Sequence, residues 1–199
     1  MHPWIFKGDV ADVSDVAAGT AVSVVDASAR FVGRGFYNPR PALCCRILTR
    51  RDEPLEAPFF RRRLEAALAW RGGLPAGPAT TAARLVWSEA DFLPGLVVDR
   101  YGEVLVVQCQ TLGLAVRRPL LVAELRALLG DRPLFDADED APAALEGFAP
   151  RRGWFDRPGA SPPAGSCSAG PMCSPCGGRS CGRCAAAASR SSSRMPGAP

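Results

Sequence analysis

Asp91-Phe-Leu-Pro-Gly-Leu-Val-Val-Asp-Arg-Tyr101 decides how the rest of this chain reads. Pro94-Gly95 punctuates a turn, because proline presets φ for one turn position and glycine accepts the positive φ of the next. Leu96-Val-Val-Asp99 then reads as a strand and Tyr101-Gly-Glu103 as a tight turn. Val104-Leu-Val-Val-Gln-Cys-Gln110 reads as a further strand, apolar enough at its start to be expected at the centre of a sheet. Upstream, Arg84-Leu-Val-Trp-Ser88 is another strand pattern. Downstream, Pro119 to Leu129 predicts a helix with Leu121, Leu125 and Leu128 on one face and Gly130 as its stop. Pro133-Leu-Phe-Asp136 is a candidate fourth strand. Strand, strand, helix, strand around one short helix points to a small α+β domain over residues 72–156.

Residues 1–71 carry a different pattern. Ala21-Val-Ser-Val-Val-Asp26, Arg30-Phe-Val-Gly-Arg-Gly-Phe-Tyr37 and Leu43-Cys-Cys-Arg-Ile-Leu48 are short strands at the spacing of a small β-barrel. Gly33 and Gly35 fall where a sharply coiled strand needs room. From Ala57 to Arg71 the period changes: Phe59, Phe60, Leu64, Ala67 and Leu68 recur at helical spacing opposite Arg61, Arg62, Arg63 and Glu65. Gly72-Gly-Leu-Pro-Ala-Gly-Pro78 breaks that helix and reads as a linker. From Arg157 onward there is no leucine, isoleucine, valine or aromatic residue. Such a segment cannot offset roughly 1–2 kcal/mol of backbone entropy per ordered residue, so 157–199 is expected to be a disordered tail.

With 199 residues and a net charge of +4, the chain has room for one large or two small domains and a mildly basic surface. Its cations are arginines, with Lys7 the sole lysine. A planar guanidinium suits phosphates and guanine edges, although GC-rich coding sequence enriches the same residue. No apolar run approaches the roughly 20 residues of a membrane span, and the N-terminus lacks signal architecture. A cytoplasmic protein with reduced cysteines is expected.

The motifs resemble a known family. His2-Pro-Trp-Ile-Phe6, Arg34-Gly-Phe-Tyr-Asn-Pro39 and Arg46-Ile-Leu48 are similar to the N-terminal PUA domain of the S-adenosylmethionine-dependent large-subunit rRNA cytosine-C5 methyltransferases. Phe59-Phe60-Arg-Arg-Arg-Leu64, Ser88-Glu-Ala-Asp91, Leu93-Pro-Gly-Leu-Val-Val-Asp-Arg-Tyr-Gly102, Leu145-Glu-Gly147 and Gly153 resemble the passage into and through that family's central domain. The resemblance covers roughly residues 1–156. It implies a PUA-like pseudo-barrel that binds RNA, namely large-subunit rRNA. In the whole family enzyme it further implies S-adenosylmethionine, a cysteine attacking C6 of cytosine, and a base removing the C5 proton. The catalytic domain of that family has no counterpart here. A truncated or frameshifted product, with no catalytic or cofactor-binding residue in this chain, is expected.

Within that reading the arginines are the candidate site. Arg34, Arg40, Arg46, Arg50 and Arg51 surround an aromatic-bearing turn and Arg61, Arg62 and Arg63 follow, with Phe36 or Tyr37 offering surfaces on which unpaired bases could stack. Two other constellations carry less. Cys173-Ser-Pro-Cys176 and Cys181-Gly-Arg-Cys184 are paired CxxC units, but only four residues separate them, against about 15–20 in a zinc ribbon. Asp136, Asp138, Glu139 and Asp140 lack a calcium-loop glycine and read as a solvated acidic turn. Cys44, Cys45 and Cys109 read as small core residues, and His2 as a poor general base. Two further readings remain open: a standalone RNA-binding or ribosome-assembly factor, and a zinc-binding interaction protein built on the tail cysteines.

Overall fold

A computed structural model describes residues 3–13, 15–72 and 81–155. The linker at 73–80, His2 and everything from 156 onward, with the tail cysteines, lie outside the described residues.

The N-terminal half is a four-stranded antiparallel sheet of β1 (Trp4–Phe6), β2 (Ala21–Val25), β3 (Phe31–Tyr37) and β4 (Leu43–Thr49), in the order β1-β4-β3-β2. The turn joining β2 to β3 is built by Asp26, whose carboxylate accepts from the backbone N–H groups of Ser28 and Arg30. Hydrogen bonding to Arg30 holds that carboxyl below its ordinary pKa. Gly35 shows why β3 is glycine-rich. A Cβ there would sit 2.2 Å from the Arg46 carbonyl oxygen on β4, so no larger residue permits this strand approach.

Helix α1 (Ala57–Gly72) follows, matching its apolar spacing. Phe59, Phe60, Leu64 and Ala67 are buried; Phe60 stacks on Phe36 of β3 and meets Phe59 edge to face. Each fully buried large side chain contributes about 1.5–3 kcal/mol, so this face anchors the helix. The apolar core runs from Phe36, Leu48 and Leu55 through α1 into the second half, giving both sheets one interior.

The second half is a five-stranded sheet of β5 (Ala82–Trp87), β6 (Leu96–Tyr101), β7 (Val104–Cys109), β8 (Leu134–Ala137) and β9 (Arg152–Phe155), in that order. β5, β6 and β7 form an antiparallel meander. β7 and β8 run parallel, which demands a crossover, supplied by α2 (Leu112–Ala115) and α3 (Arg118–Leu129). Gly130 ends α3 with φ +83°, where a left-handed conformation favours glycine. β7 is central, as its composition predicts, but its burial alternates: Leu105, Val107 and Cys109 are buried while Val104, Val106 and Gln108 are half-buried. The cause is coverage, since α3 packs on one face only of the sheet.

Three findings correct the sequence reading. β1, α2, α4 (Asp140–Glu146) and β9 have no sequence signal long enough to announce them. The residues around Asp136 are not a solvated turn: Asp136 and Asp138 are buried and both receive Arg118, itself buried at the first turn of α3. Phe36 offers no stacking surface, because Arg117 lies 3.9 Å above its ring and Phe60 lies against it. The three described cysteines are buried, as their apolar surroundings predict.

Candidate nucleic-acid interface

The first sheet sorts its basic residues by strand position. At one end, where β4 leads toward α1, Arg34 donates through Nε and Nη2 to Asp52 at 2.8 and 2.6 Å. Arg50 reaches back to the Val32 carbonyl oxygen at 3.1 Å, and Arg51 is exposed. Beneath them the Thr49 hydroxyl donates to Glu53, which also receives Arg62. Burial pushes the Glu53 carboxyl up, but the bonds from Thr49 and Arg62 and the charge of Arg51 outweigh it and hold the group ionised. Arg34, Arg50, Arg51 and Arg62 thus surround two carboxylates, Asp52 and Glu53, and the corner carries excess positive charge. That is the electrostatic requirement for a phosphate-binding surface.

Tyr37, Arg40 and Arg46 lie at the other end. Tyr37 is half-buried at the end of β3, paired with Cys45. Arg40 is exposed, its carbonyl accepting from Lys7 Nζ and its side chain lying against Gly147, where a Cβ would come within 2.7 Å of Cδ. Arg46 faces inward. It donates to the buried Glu146 of α4 at 2.6 Å, and the same carboxylate accepts from Asn38 Nδ2 at 2.7 Å and from the Leu112 N–H. The six candidates therefore fall into an Arg34–Arg50–Arg51 group, a Tyr37–Arg40 group with Lys7 beside it, and Arg46 at the joint between the two sheets. Lys7 escaped the sequence reading, whereas Arg62 belongs to the run Arg61, Arg62, Arg63 that the sequence places after the candidate group. The signal for Lys7 was its isolation as the one lysine, which says nothing of where it lands.

A small cavity of about 10 Å³, room for roughly one water, is lined by Asn38, Cys44, Arg46, Pro94, Thr111 and Glu146 at that joint. It does not fit S-adenosylmethionine. Nor does the turn from β7 into α2: a Cβ at Gly113 would lie 2.4 Å from the Phe36 ring, so a side chain fills the space a nucleoside would need. At the turn after β8, Asp138 is consumed by Arg118 and by the backbone N–H groups of Cys109 and Arg151. Among the described residues no group of three or more His, Cys, Asp or Glu could hold a metal ion, and no helix is long and apolar enough to cross a membrane.

Residues 1–50 match the PUA-like domain family. Over 149 residues the chain is 34% identical to ribosomal RNA large subunit methyltransferase I of Klebsiella pneumoniae, covering 74% of this chain and 37% of that protein. Over 165 residues it is 33% identical to the protein of the same name from Escherichia coli O139:H28, covering 82% of this chain and 41% of the relative. The chain thus spans less than half the length of these relatives. Among solved structures, a methyltransferase complexed with SAH matches with a TM-score of 0.61 at 15% identity, over 69% of this chain and 36% of that one. An S-adenosylmethionine-dependent methyltransferase from Streptococcus mutans matches with a TM-score of 0.60 at 15% identity, over 68% and 36%. At that identity the structures speak for the fold alone: a PUA-like β domain followed by an α/β domain.

Proposed function

We propose that this chain is the RNA-recognition portion of an S-adenosylmethionine-dependent large-subunit rRNA methyltransferase acting at cytosine C5 in the cytoplasm, and that the described residues do not transfer a methyl group by themselves. The observation that carries the reading is the placement of arginines on a PUA-like sheet, in a chain similar to rRNA methyltransferases over about three quarters of its length. Arg34, Arg50 and Arg51 would contact phosphates, and Tyr37 with Arg40 would border the RNA at the opposite end. Arg46, held by Glu146, fixes the second half against the sheet. Residues 1–71 then act as the RNA-binding domain and 72–156 as the domain that would hand the RNA on.

Fluorescence anisotropy with a large-subunit rRNA transcript tests this. Each lost phosphate contact lowers the slope of log affinity against log salt by about 1. The Arg50→Ala/Arg51→Ala variant should therefore bind more weakly with a slope shallower by about 2, while Arg46→Ala leaves the slope unchanged. Equal affinity and slope for parent and double variant would remove the corner from the interface.

A further inference from the structure

The five-stranded sheet uses one face for the core; on the other, Val97 and Asp99 are buried beneath their neighbours while the aromatic side chains at its edges stay exposed. On the core side Leu96 pairs with Cys109 and Val98 with Val107, all buried. On the opposite side the register aligns Arg84, Asp99, Val106, Phe135 and Trp154 in one row across all five strands. Directly opposed residues share a face, so their side chains emerge together. Trp87 and Tyr101 lie in the flanking rows, opposite Val97 and Val104. Trp87 is 47% exposed, Tyr101 55% and Trp154 47%. Three large aromatic rings on one sheet face are costly to leave in water unless something uses them.

The chemistry of this face is specific. Arg84 donates to both Asp99 oxygens, at 2.8 and 2.9 Å, and its guanidinium lies 4.2 Å from the centroid of the Trp87 ring. The carboxylate lies beneath, with its side chain 12% exposed against 44% for Arg84, so the cation is the member offered outward. At the other edge Trp154 meets Phe135 edge to face at 5.3 Å, and Arg152 stands beside it, exposed, donating to the Asp138 carbonyl oxygen at 3.1 Å and pairing with the exposed Asp140 at 2.8 Å, which a phosphate would have to displace. The rings are therefore braced and separated, with guanidinium groups between and beside them. Such a surface complements a phosphate-linked run of bases: each ring takes the π-face of a base and each guanidinium a phosphate.

We propose that this face is a second RNA-contacting surface, a platform on which Trp87, Tyr101 and Trp154 stack unpaired bases while Arg84 and Arg152 hold the phosphates. Edge to edge it spans four strand spacings, about 19 Å, enough for the two or three bases that a sheet platform stacks. The proposal rests on the reading that the chain handles RNA, and it adds a single-strand site distinct from the arginines of the first sheet.

The test titrates the full chain with a short unpaired oligouridylate, read by quenching of tryptophan fluorescence and by anisotropy of a labelled oligonucleotide. Trp87→Ala and Trp154→Ala should each weaken binding about tenfold or more, and Trp87→Phe should restore most of it, with thermal unfolding unchanged in Trp87→Phe. Unchanged oligouridylate binding by Trp87→Ala, Tyr101→Ala and Trp154→Ala overturns the proposal. A parent that binds structured rRNA but not oligouridylate overturns it while leaving the proposed function standing; a parent that binds neither removes both. Sedimentation showing self-association that Trp87→Ala abolishes, with RNA binding intact, would assign the face to a second copy of the chain and also overturn it.

Discussion

At Glu146 one carboxylate accepts from Asn38, Arg46 and the Leu112 N–H, joining the first sheet to α4 and to the start of α2. Arg117 makes a second joint, donating to the Gly19 and Gly113 carbonyl oxygens while lying over Phe36. A third polar group is fully internal: Arg118 between Asp136 and Asp138, all at most 2% exposed. Burial pushes the Asp136 carboxyl above its ordinary pKa in spite of the guanidinium beside it. Removing that guanidinium, as in Arg118→Met, leaves two buried carboxylates with only the more distant Arg151 at 3.6 Å from Asp136 and should cost about 3–5 kcal/mol at neutral pH. The sign with pH follows from linkage. A carboxyl raised above its unfolded value binds its proton more tightly when folded, so acid stabilises the folded variant. Urea unfolding should show the deficit of Arg118→Met shrinking as pH falls from about 7 to about 5; a deficit that grows would mean that Asp136 is not the strained group. The cysteines give a reactivity prediction at the same scale. Burial pushes the Cys45 and Cys109 thiols up to about 12, so neither forms thiolate near neutrality. Peptide mapping after iodoacetamide should find both unmodified in the native protein and modified in denaturant; native labelling of Cys109 would contradict its place in the core.

Elements were legible in proportion to their periodicity. The buried face of α1 announces itself through Phe59, Phe60, Leu64 and Ala67, and β3 and β4 through β-branched and aromatic residues around Gly33 and Gly35. α2 and β9 have four residues each, too few to show a period, and both are held by contacts made far along the chain. α4 opens on Asp-Ala-Pro with no side-chain cap, and its acidic flank looks solvated until α3 delivers Arg118 to it. The candidate site was legible as a set of arginines but not as a geometry. Nothing in the alternation along β4 told which face would meet a second domain, and that alone turns Arg46 inward. The same contact gives a test of α2. Gly113 approaches Phe36 so closely that a Cβ would lie 2.4 Å from its ring. Gly113→Ala must displace either α2 or the Phe36–Phe60 stack and should cost about 1–3 kcal/mol by overpacking. Differential scanning calorimetry should record a lowered melting temperature; an unchanged one would mean that α2 sits further from the first sheet.

For the whole molecule, a shared core makes the two sheets a single scaffold, and the basic corner and the aromatic face lie on different sheets of it. The net charge of +4 is small, so the proposed RNA binding would rest on local arrangement rather than on overall attraction. Ultraviolet cross-linking of the full chain to large-subunit rRNA, with mass-spectrometric identification of the linked peptides, tests the central claim most directly. The account predicts cross-links in the peptides spanning Tyr37 to Arg51 of the PUA-like domain, lost at high salt. Cross-links confined to residues beyond Arg51, or none at low salt, would contradict it.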